Sequence, residues 1–575
     1  MYNSHSQSPR NLKILVMEAM RVIGTIGGKA PLNFATPQRF AALVGYAILL
    51  AVFLLASSFV VLAQNTCKPL MESKISGATI IFADVVEAGG FAGPPGLSDN
   101  RDLTAPYKNV PAFCRVVVMA KPTTDSDIRI EVWMPLVGWN GKLQGIGNGG
   151  FAGVIDYMQL GAAVSKGYAA TGTSAGHDAE TPVDASWALG HPEKVVDFGH
   201  RGIHEMTRVA NEAVRAFYGK SEQRSYFVGC SDGGREALME AQRYPADYDG
   251  ILAGAPANYW TALLATGAAD TQALTLDAAS FIPQPKIPTI AAAVVKACDA
   301  LDGVRDGILN DPRQCHFDPA TIRCKSGEDT DKCLTAPQAA ALKKIYAGLH
   351  DARGHEVFPG YLPGSEDGPG GWGLWITGPA PGRSLMAMFG TGYFANMVYE
   401  DRRWDYKTFT LEAGLKLADE KTASALNATN PDLKAFQARG GKLILYHGWN
   451  DPAIPALNTV NYYESVVAKL GKSDVDSFVR LYMVPGMQHC DSGPGTDSFG
   501  QVGQLTFDDP QRSVYAALEH WVEKNEAPST IIAAKYDGDE RQHPRMTRPL
   551  CAYPQAAKYK GKGDTNDAGS FTCQK

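Results

Sequence analysis

Two segments of the sequence, residues 172–176 and 229–233, have the glycine–X–serine–X–glycine pattern of a nucleophilic serine on a sharp turn. Such a turn needs a strand before the serine and a helix after it. Ser231 follows the apolar run SYFVG and precedes the helix-like stretch REALMEAQRY, whereas Ser174 leads into HDAETPVDAS, which has no helical periodicity. Ser231 is therefore the predicted nucleophile, and the chemistry would be acyl transfer.

A serine hydroxyl needs a base that takes its proton and an acid that orients the base. On this strand–turn–helix arrangement the acid follows the serine, and the histidine follows the acid. Asp451 follows the strand-like run KLILY and His489 follows FVRLYMV, both where open α/β sheets place their sites. His447 precedes Asp451 and breaks this order, so we interpret it as structural; Asp491 and Asp508 come too late to be the acid.

The elements that must position these residues alternate between strands and helices. Strand-like runs begin near residues 128, 142, 168, 225, 251, 442 and 478, and helical patterns cover 198–218, 235–244 and 509–525. This alternation predicts an α/β fold with a mostly parallel sheet and helices on both faces. Residues 259–440 have few strand-like runs, and we interpret them as a lid domain inserted into a catalytic domain of residues 64–258 and 441–575.

The composition favours an exported globular protein. The 575 residues are 45% hydrophobic with a net charge of −6, which argues against disorder and against nucleic-acid binding. Residues 1–63 are predicted to be a leader: the uncharged run 40–63 behind five basic residues is typical of a signal peptide, or of an uncleaved anchor. All ten cysteines follow it, so we expect a secreted or periplasmic protein with disulfides and, unless the leader is retained, no membrane contact.

Two of the cysteines support the predicted triad. Cys230 directly precedes Ser231, and Cys490 directly follows His489. If the serine and the histidine touch, their neighbours come within reach of a disulfide. Such a bond would join the nucleophile loop to the base loop.

Residues 229–236 (GCSDGGRE), 447–451 (HGWND) and 489–490 (HC) resemble the tannase and feruloyl esterase family of α/β hydrolases, which includes a bacterial mono(hydroxyethyl) terephthalate hydrolase. The resemblance covers nearly all of residues 64–575. It implies an α/β-hydrolase core with a lid and a triad of Ser231, Asp451 and His489. It also implies five disulfides, which pair Cys67 with Cys114, Cys230 with Cys490, Cys298 with Cys315, Cys324 with Cys333, and Cys551 with Cys573.

Acyl transfer also needs two backbone N–H donors, the oxyanion hole, for the negative charge that develops on the carbonyl oxygen. One should be the N–H of Asp232, the residue after the nucleophile. The other should come from the glycine loop 147–150 (GNGG), with Gly150 as the first candidate and Gly149 as the second.

An acidic loop, residues 298–308 (CDALDGVRDGI), concentrates oxygen ligands of the kind that calcium binds. Its spacing is not that of an EF-hand, so the residues alone leave open a calcium site or a solvated acidic turn. The family resemblance implies a structural calcium site in the lid, and no organic cofactor is expected. Its ligands would be the carboxylates of Asp299, Asp302 and Asp306 and the carbonyls of Val304 and Ile308.

The lid contains aromatic residues that could either stack on a flat acyl group or form the lid's own core. The candidates are Trp372, Trp375, Phe389, Tyr393 and Phe394. In the terephthalate branch a lid arginine grips the free carboxylate of the substrate, and Arg383 lies in that region.

Together these features predict a secreted serine esterase that acts on small aromatic esters, with hydroxycinnamates such as ferulates as the first choice. Gallate esters and terephthalate monoesters are the alternatives. A non-catalytic binding protein of the same fold and a peptidase are rival hypotheses. The first would typically have lost a triad residue, and the second would cleave amides rather than esters.

Overall fold

The computed structural model describes residues 67–94, 103–502, 508–538 and 543–575. These described residues belong to one compact unit, Thr66–Lys575. The predicted leader, residues 1–63, lies outside them. None of the helices in the described ranges is long and apolar enough to cross a membrane.

The described strands are β1 (Ala78–Val86), β2 (Phe113–Ala120), β3 (Ile128–Pro135), β4 (Lys142–Ile146), β5 (Ala169–Thr173), β6 (Arg224–Cys230), β7 (Gly250–Gly254), β8 (Leu349–His350), β9 (Glu356–Phe358), β10 (Lys442–Gly448), β11 (Val479–Val484), β12 (Thr530–Lys535), β13 (Met546–Cys551), β14 (Ala556–Tyr559) and β15 (Phe571–Gln574). The described helices are α1 (Tyr157–Ser165), α2 (Pro192–Val196), α3 (Gly202–Tyr218), α4 (Asp232–Arg243), α5 (Trp260–Thr275), α6 (Ile287–Cys298), α7 (Ala336–Ala347), α8 (Trp372–Trp375), α9 (Leu385–Tyr393), α10 (Leu411–Ala418), α11 (Ser424–Leu426), α12 (Lys434–Ala438), α13 (Ala456–Leu470), α14 (Lys472–Asp476) and α15 (Val514–Lys524).

The main sheet has nine strands in the order β1-β2-β3-β5-β4-β6-β7-β10-β11. The run from β5 to β11 is parallel throughout, and β1, β2, β3 and β5 pair antiparallel at the other side. The predicted mostly parallel α/β fold is therefore confirmed. The strands β1 and β2 were not predicted, and they extend the sheet by an antiparallel edge.

Helices cover both faces of this sheet. Successive side chains of a strand point to opposite faces, so one strand contributes to the apolar clusters on both sides. On β6, Phe227 packs in the same apolar cluster as Val209 of α3. The next residue, Val228, packs in the opposite cluster with Leu518 of α15. The central strands are buried on both faces and are apolar almost without interruption, as parallel strands usually are.

The lid leaves the sheet between two strands that are neighbours. β7 and β10 pair in parallel, although residues 255–441 lie between them in the chain. In this stretch the described chain is mainly helical, with β8 and β9 as a short hairpin. Its buried apolar residues, among them Leu264 and Phe394, form one cluster with Phe151 and Phe198 of the preceding segment. The domain boundaries at 258/259 and 440/441 stay predictions.

Candidate active site

Ser231 lies on the turn between β6 and α4, as the pattern predicted. Its backbone has φ 66° and ψ −120°, which side-chain-bearing residues rarely adopt and which lifts the hydroxyl away from the sheet. The turn is tight enough that a Cβ atom on Gly229 would collide with the carbonyl oxygen of Gly233. Gly229 is therefore needed for close contact between the strand and the helix, and a Cβ atom on Gly233 would collide with the carbonyl oxygen of Asn148.

The loops after β10 and β11 bring the other two predicted residues to this hydroxyl. His489 Nε2 lies 2.9 Å from Ser231 Oγ, and His489 Nδ1 lies 2.8 Å from Asp451 Oδ2. The histidine side chain is 10% exposed, and the aspartate side chain is fully buried. With Nδ1 protonated by this contact, Nε2 can accept the serine proton.

Asp451 is held by four donors. Its Oδ1 accepts the N–H groups of Ala453 and Ile454, and its Oδ2 accepts from His489 and, at 3.0 Å, from His447. Burial alone would raise the pKa of Asp451, but the two histidines outweigh it and hold that pKa well below its usual value. The carboxylate is therefore charged at any working pH.

His447 supports the acid, a contact that the sequence pattern did not reveal. Its Nε2 faces two acceptors, Asp451 Oδ2 and the carbonyl oxygen of Ile454, so Nε2 carries the hydrogen. Its Nδ1 then accepts from the hydroxyl of Thr459 at 2.7 Å. The ring is completely buried, and both of its nitrogens are bound to Thr459, Asp451 and Ile454, which makes it a support and not a base.

The structure contains five disulfides, in the pairs that the family resemblance implied. Cys230 and Cys490 are joined with their Cα atoms 6.1 Å apart, so a covalent bond links the residue before Ser231 to the residue after His489.

Ser231 opens into a small cavity of about 60 Å³. Two of the predicted oxyanion residues, Asp232 and Gly150, line it, and Gly149 is not part of its wall. Asp232 is the first residue of α4, so its N–H has no partner within the helix. Gly150 has φ 58°, and a Cβ atom there would collide with the carbonyl oxygen of Pro182.

The Asp232 carboxyl itself is turned away and does not serve the cavity. Burial raises the pKa of Asp232 to about 6, against the opposing effect of Arg235. Arg235 is fully buried, donates to Asp232 at 2.6 Å, and also donates to the carbonyl oxygens of Gly199 and Phe198. This arginine therefore anchors the first turn of α4.

The lid aromatics divide between the cavity and the lid core. Trp375 and Phe389 line the cavity, and the Trp375 ring meets the His489 ring edge-on with centroids 4.9 Å apart. Trp372 and Phe394 were predicted to contact substrate, but both are fully buried and outside the cavity wall, so that prediction is wrong for them.

The reason is packing within the lid. Trp372 donates its indole N–H to Ser365, and Phe394 packs against Phe409 and Tyr393. The lid core therefore accounts for these aromatic residues.

The rest of the cavity wall was not predicted and is apolar. It is formed by Ala257, Trp260, Leu263, Leu264, Met386, Ala453 and Ile454. Arg383 is exposed to solvent and is not part of this wall.

The acidic loop of the lid folds around its own carboxylates. Asp299 accepts the N–H of Gly307, Asp302 accepts that of Val304, and Asp306 accepts that of Ile308. The donor set, three carboxylates and the two carbonyls, suits calcium chemically. As the side chains stand, no group of three His, Cys, Asp or Glu in the described ranges is arranged to hold a metal, and one Asp306 oxygen pairs with Arg548.

Comparison with known proteins assigns the chain to a family. A family model described as tannase and feruloyl esterase matches residues 114–574. The chain belongs to the tannase and feruloyl esterase family. It is therefore a carboxylic ester hydrolase with the α/β fold of that family.

Individual members of the tannase and feruloyl esterase family match most of the chain. An uncharacterized esterase of Xanthomonas campestris is 39% identical over 539 residues, which cover 89% of this chain and 91% of that protein. Feruloyl esterase B of Aspergillus niger is 32% identical over 465 residues, 80% of this chain and 86% of that protein. The crystal structure of feruloyl esterase B from Aspergillus oryzae superposes with a TM-score of 0.80 at 27% identity, covering 89% of this chain and 99% of that one.

Proposed function

We propose that this family member hydrolyses esters of aromatic carboxylic acids, and hydroxycinnamates such as ferulates in particular, through an acyl-enzyme on Ser231. The observation that carries the proposal is the unbroken hydrogen-bonded chain Ser231–His489–Asp451 beside an apolar cavity. Asp232 and Gly150 line the same cavity, and their N–H groups would stabilise the oxyanion there.

In the first half of the reaction, Ser231 Oγ attacks the ester carbonyl carbon while His489 Nε2 takes the hydroxyl proton. The carbonyl oxygen becomes an oxyanion that the two N–H groups stabilise. As the tetrahedral intermediate collapses, the C–O bond to the alcohol breaks and His489 gives its proton to the leaving oxygen. Asp451 holds the imidazole in place and stabilises its charged form.

In the second half, water replaces the alcohol. His489 takes a proton from the water while its oxygen attacks the acyl carbon, and the same N–H groups hold the second oxyanion. Collapse returns the proton to Ser231 and releases the carboxylic acid.

The cavity wall supports ferulate over the two alternatives. Apart from Ser231 and Asp232, whose carboxyl pairs with Arg235, its lining side chains are apolar or aromatic. The three ring hydroxyls of a galloyl group would lose their hydrogen bonds to water there, and the free carboxylate of a terephthalate monoester would lose its hydration. Of the three acyl groups, a methoxyphenyl ring with one hydroxyl loses the least hydration on entering the cavity.

The test is hydrolysis of methyl ferulate, methyl gallate, mono(hydroxyethyl) terephthalate and p-nitrophenyl butyrate by the wild type and by Ser231→Ala. Among the three aromatic esters we expect the highest kcat/KM on methyl ferulate, and we expect kcat of the variant to fall about 10⁶-fold. Equal hydrolysis by both proteins would refute the role of Ser231. A preference for the gallate or the terephthalate ester would refute the specificity argument and leave the triad intact.

We also propose export and a structural calcium ion in the lid. Export is supported by the disulfides, since such bonds persist in oxidising compartments. Calcium is supported by the oxygen donors of the loop around Asp302, and it would stabilise the lid without taking part in the chemistry.

A further inference from the structure

The glycine loop 147–150 is attached to the helix that carries the nucleophile. The carbonyl oxygen of Asn148 accepts the N–H of Gly233 at 2.7 Å, and the N–H of Asn148 donates to Glu236 Oε2 at 2.8 Å. Both backbone groups of this one residue are therefore bound to α4. The first contact is between main chains, but the second depends entirely on a side chain.

Glu236 is an unusual residue to find at this position. It is completely buried, and its other oxygen, Oε1, has no hydrogen-bond partner among the described residues. A buried carboxyl with one partner costs free energy that an apolar side chain would not cost. Its contact with Asn148 is therefore a reason for the carboxyl to be there.

The backbone on either side of Gly150 is held by main-chain contacts: the N–H of Gly147 donates to the carbonyl oxygen of Val228, and the N–H of Phe151 donates to that of Pro182. Gly149 has open space where a Cβ would be, and Gly150 has a left-handed backbone. The side chain of Asn148 donates to the carbonyl oxygens of Thr173 and Val154, which ties the start of the loop to β5 and the loop beyond. The contact with Glu236 adds a second tie to α4, beside the one between the Asn148 carbonyl and Gly233. Asp232, the first residue of α4, lines the same cavity as Gly150.

We propose that Glu236 is a positioning residue that sets the distance between the two halves of the oxyanion hole, by accepting the Asn148 N–H and so fixing Gly150 relative to Asp232. This inference rests on the proposed function, because it gives the two N–H groups an oxyanion to bind. Glu236 itself touches neither the cavity nor the triad.

A neutral acceptor is sufficient for this role. Burial, and then the neighbouring Asp232, raise the pKa of Glu236 well above its usual value, which favours the neutral carboxylic acid. Its oxygen Oε2 accepts the Asn148 N–H in either protonation state. A glutamine has the same length and keeps a carbonyl oxygen. A methionine has a similar shape and no strong acceptor.

The chain provides a matched control one helical turn further on. Glu240 is also fully buried on α4, and within the described ranges neither of its oxygens is hydrogen-bonded to the glycine loop. Replacing it removes the same chemical group from the same helix.

The experiment compares Glu236→Met, Glu236→Gln and Glu240→Met with the wild type on methyl ferulate. We expect kcat of Glu236→Met to fall about 10- to 100-fold and KM to stay within about twofold of the wild-type value. Removing an oxyanion donor lowers kcat about 10²- to 10³-fold, and a donor that is only displaced should cost part of that factor. Glu236→Gln and Glu240→Met should stay within about threefold of the wild type. A Glu236→Met variant no slower than Glu240→Met, or a Glu236→Gln variant slowed more than tenfold, would overturn the proposal.

Binding of phenylboronic acid separates positioning from a loss of structure. The boronate forms a tetrahedral adduct on Ser231 whose oxygen occupies the oxyanion hole. We expect its inhibition constant to rise in Glu236→Met by the same factor by which kcat/KM falls. If a smaller fraction of the Glu236→Met molecules binds the boronate but the inhibition constant of that fraction is unchanged, Glu236 only supports folding and the proposal fails.

Hydrogen–deuterium exchange of residues 147–150 needs no turnover. The amides of this loop should exchange faster in Glu236→Met than in Glu240→Met. If no variant and no wild-type protein cleaves an ester, the proposed function is wrong, while this exchange still decides whether Glu236 holds the loop. Equal exchange in the two variants would contradict the inference even where ester hydrolysis is confirmed.

Discussion

The bond between Cys230 and Cys490 should stabilise this protein more than any other of its cross-links, and it should matter for activity as well. It closes a loop with a sequence separation of 260, within which the two lid disulfides are nested. In the chain-entropy model, a loop of this length loses enough freedom in the unfolded state to contribute about 5.5 kcal/mol at 25 °C. The nested disulfides shorten the loop only slightly. Because the entropy depends on the logarithm of the loop length, this contribution hardly changes.

A matched control exists in the lid. Cys324 and Cys333 close a loop with a sequence separation of only 9, for which the same relation gives about 2.5 kcal/mol. We expect the double variant Cys230→Ala/Cys490→Ala to lower the free energy of unfolding about twice as much as Cys324→Ala/Cys333→Ala. Urea unfolding followed by tryptophan fluorescence measures both.

Activity should separate the two variants more sharply. Removing the bond frees the loop of His489 from the strand that ends before Ser231, and a small displacement of a base costs rate steeply. We expect kcat/KM on p-nitrophenyl butyrate to fall at least about tenfold in Cys230→Ala/Cys490→Ala and to stay near the wild-type value in the lid variant. If both variants lose equal stability and keep full activity, the reasoning from loop length and from the geometry of the two loops is refuted.

Three further outcomes follow from the same structure. Asp451→Asn should lower kcat by about 10⁴-fold with little change in KM, because an amide would donate to His489 Nδ1 and leave Nε2 protonated; a loss below tenfold in steady-state assays would contradict this. Burial, and then Asp247, raise the pKa of Glu240, so the stability linked to its proton is full below the usual glutamate pKa and is lost as the pH rises through the folded value. As the pH rises over that range, the free energy of unfolding of Glu240→Gln should therefore increase relative to that of the wild type by up to about 1.4 kcal/mol per pH unit. A difference between the two urea midpoints that stays constant from pH 5 to pH 9 would rule this out. Chelation by EGTA should lower the melting temperature, calcium and not magnesium should restore it, and Asp302→Asn should remove the response, whereas a melting curve indifferent to EGTA would end the calcium proposal.

The central part of the fold could be predicted because its signals are local. The strands β6, β7 and β10 are buried on both faces, so they appear in the sequence as short apolar runs. The edge strand β1, its neighbour β2 and the short strands β12–β15 were missed. β1 and β2 are rich in β-branched residues that favour strands, but only their antiparallel pairing with each other and with β3 shows that they extend the main sheet.

The lid shows the limit of composition as a guide. Trp372 and Trp375 lie on the same turn of helix, yet one is in the lid core and the other is against His489. Phe389 and Phe394 divide in the same way. Which aromatic ring faces the cavity depends on how the whole inserted segment packs back over the sheet, and no short pattern contains that information.

The sequence by itself determined the identity and the order of Ser231, Asp451 and His489. Ser231 directly follows β6, and Asp451 and His489 lie in the loops that follow β10 and β11. Parallel strands end at one edge of the sheet, so a one-dimensional pattern is enough to bring the three together. The tertiary structure alone decided what surrounds them: the contact of His447 with Asp451, the apolar wall of the cavity, and the hold of Glu236 on the glycine loop. These contacts join residues that are distant in the chain or carry no motif, and packing geometry selects them.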